Sequence, residues 1–247
     1  MDAMEGLLSL MLEWAHRDPP EADEATVLVG ADIVATALAA TKAREPKTPI
    51  PASARLFAGT MRVVAQVSLP HEPMMGVCVR LTSAKDGFVL AKVYLIGKED
   101  NEYATTGRFR PGDLFVESHP SAQGKPAHAL VLFAYMLDLI NTPAFVTKDT
   151  LPRATRRRID RNSGTNASDR IRVVSWNLTK PKLEAGETVG CGRHMPLHYT
   201  RGHWRQCAAH LDRAQLHDDG VHRMWIEGFW SGHPAYGIVR SIHAPKL

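Results

Sequence analysis

The spacing of hydrophobic positions changes along the chain, and each change marks an element. Leu7, Leu8, Met11, Leu12 and Trp14 recur at helical intervals, which predicts a short amphipathic helix over 3–16. Pro19 and Pro20 break it. Glu21, Asp23 and Glu24 then open an Ala-, Leu- and Val-rich stretch that ends in Lys42 and Arg44. Acidic residues at one end and basic residues at the other suit a helix dipole, so a helix over 21–44 is expected. From Met61 the pattern becomes β-branched or alternating. MRVVAQVSL, MGVCVRLT and FVLAKVYLIG, bounded by Pro, Gly and the turn signal Lys85-Asp86-Gly87, predict an antiparallel meander. A further strand is expected in 108–117, around Pro111-Gly112-Asp113. The apolar run 127–140 predicts a buried helix over that sheet. Cys78 falls within a predicted strand, where a small buried hydrophobe is expected rather than a reactive thiol.

The character of the chain changes after Thr150. Arg153, Arg156, Arg157, Arg158 and Arg161 form a concentrated cationic run. If this run is helical, Arg153, Arg157 and Arg161 share one stripe at i, i+4 and i+8. A polar, Gly-containing stretch, 162–168, follows. RVVSW, PLHYTRGHWR, HRMWIEGFW and GIVRSIH then read as strands. The fold class expected is α+β. A unit over 1–150 combines N-terminal helices with an antiparallel sheet, 151–170 is a basic connector, and 171–247 is a small β-rich basic unit.

Charge sharpens that division. Residues 151–247 hold 16 Lys+Arg against 8 Asp+Glu, whereas 1–150 hold 14 against 18. Eight of the 12 His and four of the five Trp also fall after Thr150. Such asymmetry points to a polyanionic partner for the second half. Three Cys, an odd and small number, do not suggest a disulfide framework. The N-terminus shows no basic leader, and the longest apolar run is too short to span a bilayer. A reducing, cytoplasmic setting away from membranes is the expectation.

Four groups of residues could carry chemistry. Cys191 and His194, followed by Cys207 and His210, form C-x2-H-x12-C-x2-H, two close pairs of the kind that present ligands to a tetrahedral zinc ion. In a chain with 12 His, such pairs also arise by chance. In a strand through 198–205, Arg201, His203 and Arg205 line one side and Thr200, Gly202 and Trp204 the other. Two guanidiniums flanking an imidazole suit phosphate, and His203 could serve as general acid or base. The plainer alternative is a solvated cationic strand with Trp204 in the core. Along the next strand, Trp225, Glu227 and Phe229 alternate with Ile226, Gly228 and Trp230. An exposed aromatic there could stack on a base, and core packing is the commoner use. The arginine run could neutralise several phosphates or simply be a solvated linker. No Gly-rich nucleotide loop, G-x-S-x-G or H-E-x-x-H occurs.

Asp138-Leu-Ile-Asn141-Thr-Pro143, the Leu151-Pro-Arg and Arg156-Arg157-Arg158 run, Arg172-Val-Val-Ser-Trp, Arg201-Gly-His203-Trp-Arg205 and Trp225-Ile-Glu-Gly-Phe-Trp230-Ser-Gly232 together resemble a widespread group of uncharacterised phage- and prophage-encoded bacterial proteins. The resemblance covers roughly the second half of the chain and implies a mobile-element setting. Three functions follow as expectations. The first is a nucleic-acid-binding protein that contacts phosphates through Arg153, Arg156, Arg157, Arg158, Arg161, Arg201, His203 and Arg205. The second is a metal-independent RNase or toxin using His203 with Arg201 and Arg205. The third is an interaction protein whose basic face meets a host defence or regulatory factor.

Overall fold

The computed structural model describes residues 6, 8–11, 24–43, 49–56, 58–67, 75–96, 102–113, 116–118, 125–163, 167–180 and 195–239. They form two compact units. One comprises 1–38 and 50–177, the other 39–49 and 178–247.

The first unit begins differently from the sequence expectation. The stretch expected as one helix over 21–44 is a strand, β1 (Ala25–Val29), followed by a helix, α1 (Ala31–Ala43). Val27, Leu28 and Val29 are fully buried. A strand covered on both faces reads as a continuous apolar run, which periodicity cannot separate from a buried helix. Gly30 divides the two elements, and its carbonyl accepts the N–H groups of Ile33 and Val34. Upstream, Gly6 and Leu8–Met11 are helical, with Leu8 and Met11 buried.

The expected meander is present as β2 (Thr60–Val67), β3 (Met75–Ser83) and β4 (Val89–Ile96). It continues into β5 (Glu102–Phe109), which sequence reading missed, and β6 (Val116–Ser118). Pairing from β2 to β6 is antiparallel throughout. Gly87 takes a φ of 80° at the β3–β4 turn and Gly112 one of 84° between β5 and β6, values that an L side chain rarely adopts. A helix, α2 (Lys125–Ile140), packs against β5 and β6. From Leu130 to Ile140 it is buried almost all round, as its unbroken apolar sequence requires.

Two more strands complete the sheet, β7 (Val146–Thr150) and β8 (Ile171–Trp176). The strand order is β6-β5-β4-β3-β2-β1-β8-β7. β1 runs parallel to both β2 and β8, so the sheet is mixed rather than wholly antiparallel. The RVVSW strand, expected to open the C-terminal unit at 171, thus lies between β1 and β7 in the large sheet. The expected connector is also part of this unit. It folds as a helix, α3 (Arg153–Ser163), and a 3₁₀ turn (Ala167–Arg170). Ile159 of α3 joins Leu8, Met11, Leu28, Val64, Cys78, Leu151 and Ile171 in a buried cluster on one sheet face. Cys78 is fully buried, as expected of a small hydrophobe.

The second unit is β-rich. Among the described residues it holds β9 (Pro196–Thr200), β10 (His203–Gln206), β11 (Gln215–Leu216), β12 (His222–Ile226), β13 (Phe229–Ser231) and β14 (His233–Ile238). They make two three-stranded sheets, β10-β12-β11 and β13-β9-β14. The molecule is therefore α+β with a β-rich C-terminal part. Among the described residues, no helix is long and apolar enough to cross a membrane.

Candidate functional site

The arginine run is helical, so its side chains fan out at about 100° per residue. Arg153, Arg157, Arg158 and Arg161 are exposed and occupy one arc, with the buried Ile159 opposite. None of the four has a carboxylate partner among the described residues. Arg156 differs. It is half-buried at the side of the arc, and its Nε is enclosed without a hydrogen-bond partner. Asp160 accepts hydrogen bonds from the Ser168 N–H (2.9 Å) and hydroxyl (2.8 Å), which fastens α3 to the 3₁₀ turn.

The arginine arc opposes the ordinary electrostatics of a helix. Its first turn holds no acidic residue, and Arg153, Arg156 and Arg157 sit where the partial positive end of the dipole disfavours cations. Arg153, Arg157 and Arg161 are moreover like charges at i, i+4 spacing, a mutually destabilising arrangement. Among the described residues, the Ile159 anchor and the Asp160 fastening offset this locally.

The 198–205 stretch is not one strand. β9 ends at Thr200 and β10 starts at His203, each in a different small sheet. The partner strand breaks at the matching point, between Ile226 and Phe229. Both ladders nevertheless keep a single register, Thr200 opposite Phe229 and His203 opposite Ile226. Arg201 and Gly202 therefore face Gly228 and Glu227 across the break. Alternation is preserved, which leaves Arg201, His203 and Arg205 on one side and Gly202, Trp204, Trp225 and Glu227 on the other. Glu227 and His203 thus fall on opposite faces, and the fold does not assemble them as an acid–base pair. His203 Nδ1 lies 3.2 Å from the Arg201 carbonyl. Arg201 and His203 are half-buried, whereas Arg205 is exposed.

The glycines of the R-G-H-W-R and W-I-E-G-F-W motifs have a packing role. A Cβ on Gly202 would lie 2.6 Å from the Trp225 ring, and one on Gly228 would collide with the Tyr199 hydroxyl. Each strand thus lays an aromatic ring over the other strand's glycine. Tyr199 also meets Trp230 edge-on at 5.0 Å. Trp204, expected in the core, is instead 41% exposed, and Phe229 is 47% exposed. The Asp138…Asn141 motif is structural as well. Asp138 accepts the Ser53 hydroxyl, and Asn141 Nδ2 donates to the carbonyls of Ser53 (2.8 Å) and Arg55 (2.7 Å), docking that loop on the end of α2.

Of the four residues expected to hold zinc, Cys191 and His194 lie outside the described residues. Cys207 is a half-buried free thiol just beyond β10, and His210 is exposed in the turn that follows. Among the described residues no group of three or more His, Cys, Asp or Glu side chains could hold a metal ion.

Sequence reading missed a buried ionic cluster in the first unit. Glu24, with a fully buried side chain, is clamped by two guanidiniums. Arg62 donates from Nε (3.2 Å) and Nη2 (2.9 Å), and Arg80 from the same atoms at 3.0 Å each. The signal was legible in principle. Arg62 and Arg80 each stand inside a β-branched run, and a charge in a central strand needs a partner. Register places Arg62 directly opposite Arg80, with Glu24 just ahead of β1 to join them. No protein-family model, curated protein or solved structure matches the chain.

Proposed function

We propose that this protein binds nucleic acid, and that α3 is its principal phosphate-contacting element. The observation that carries the reading is the exposed arc of Arg153, Arg157, Arg158 and Arg161, which has no carboxylate partner among the described residues and lies on a helix that these charges destabilise. Arginine presents a planar fork to phosphate oxygens, and a helical row of such forks tracks a backbone without reading bases. Arg205, exposed on β10, adds a cation in the second unit. The mobile-element setting implied by the sequence resemblance is compatible with this reading. The RNase reading rests on His203 with Arg201 and Arg205, and the ladder brings no Glu227 carboxylate to that face. The experiment is a salt titration of binding to a labelled oligonucleotide. Each phosphate contact contributes about 0.9 to the slope of log affinity against log salt on duplex DNA. Changing Arg153, Arg157, Arg158 and Arg161 to Gln should flatten that slope by about 2–4 and weaken all sequences alike. An unchanged slope overturns the assignment to α3. No binding by the unaltered protein at low salt overturns the function.

A further inference from the structure

We infer that the edge formed by β10 holds a single, unpaired strand, with one base stacked on Trp204 and the neighbouring phosphate on Arg205. This rests on the nucleic-acid reading above and specifies the form of its partner. Among the described residues β10 is the outer strand of its sheet, and Trp204, Arg205 and Gln206 in it are all exposed. Among the described residues Trp204 is the one exposed indole. Its plane is fixed by two steep ring contacts, to His217 at 4.6 Å and 78° and to Trp225 at 5.4 Å and 67°. A ring so held loses little rotamer freedom on stacking. Adjacent residues of a strand point to opposite faces, so the indole lies over the sheet face that carries Trp225 and His217, and the guanidinium leaves the other face beside the open edge. A single strand crossing that edge meets the exposed part of an indole on one face and a cation on the other. Arg205 has no carboxylate partner among the described residues. A duplex keeps its bases stacked on one another and cannot use Trp204 without unpairing.

The test compares binding of the full chain to a labelled single strand about 12 nucleotides long, to the same backbone with abasic positions at its centre, and to a duplex hairpin. The intact single strand should bind about 10-fold tighter than its abasic counterpart, which carries the same charge. Trp204→Ala should erase that difference, Trp204→Phe should keep most of it, and Arg205→Gln should weaken both strands equally. Equal binding of the intact and abasic strands by the unaltered protein overturns this inference and leaves the phosphate reading standing. Absence of binding to every probe overturns both. The comparison of probes on unaltered protein keeps the test decisive even if Trp204→Ala disturbs the fold.

Discussion

At the scale of single residues, Glu24 shows what a buried charge demands. Its carboxylate takes four hydrogen bonds from Arg62 and Arg80, and Arg62 is itself 1% exposed. Glu24→Gln removes the negative charge and sets amide hydrogens against guanidinium donors. Breaking one partner of a buried ion pair costs about 3–5 kcal/mol, so chemical denaturation should show a loss in that range. Nucleic-acid affinity, measured where the variant remains folded, should be unchanged. In the second unit the residues divide by exposure. Tyr199 is 8% exposed and lies over Gly228, whereas Trp204 is 41% exposed. Tyr199→Ala should therefore cost about 3–5 kcal/mol in thermal unfolding, and Trp204→Ala clearly less. A larger loss at Trp204 would mean that its indole, not the Tyr199 ring, is the anchor of the ladder.

At the scale of elements, α3 sets stability against function. Arg153→Glu places an anion where the helix dipole favours one and removes a like-charge neighbour of Arg157. It should raise stability by about 0.3–1 kcal/mol and weaken nucleic-acid binding, two effects of opposite sign from one substitution. A variant both less stable and weaker in binding would show that Arg153 holds the fold rather than a phosphate. Which elements could be read from sequence follows from how each is buried. β2, β3 and β4 carried alternating or β-branched patterns with a Lys-Asp-Gly turn between two of them, and α2 carried an apolar run too long for a strand. β1 failed because full burial on both faces erased its period. β5 failed because EYATTGRF has few apolar residues to mark it. The site was legible in part. The arginine stripe and the two-sided alternation around His203 follow from spacing alone, but the exposure of Trp204 depends on partner rings at Trp225 and His217, and no spacing shows that.

At the scale of the whole molecule, β8 decides where the first unit ends. Its sequence RVVSW resembles its C-terminal neighbours in composition, and it follows the basic run, so it reads as the start of a new unit. Pairing says otherwise. Thr26, Val27, Leu28 and Val29 of β1 align with Ile171, Arg172, Val173 and Val174, while Ser175 and Trp176 align with Thr147 and Val146 of β7. The Trp176 indole also donates to Asp32 Oδ2 at 2.6 Å, and the Asn177 N–H donates to the Phe145 carbonyl. Parallel partners sit far apart in sequence because the chain must cross over between them, so no local pattern announces the pair. The positive charge of α3 thus belongs with the large sheet, although the sequence places it on the C-terminal side of the charge boundary. This yields a prediction about truncation. A chain ending after Asn177 retains every strand of the eight-stranded sheet and should unfold cooperatively on heating. A chain ending after Arg170 lacks β8, which strips β1 of a parallel neighbour and leaves β7 without any partner in the sheet. It should lose that cooperative transition, since the exposed edge of β1 and the isolated β7 leave buried backbone groups unpaired. The two products differ by only seven residues, so charge and length are nearly matched. If both unfold with the same cooperativity, β8 is not integral to the sheet and the unit ends before it.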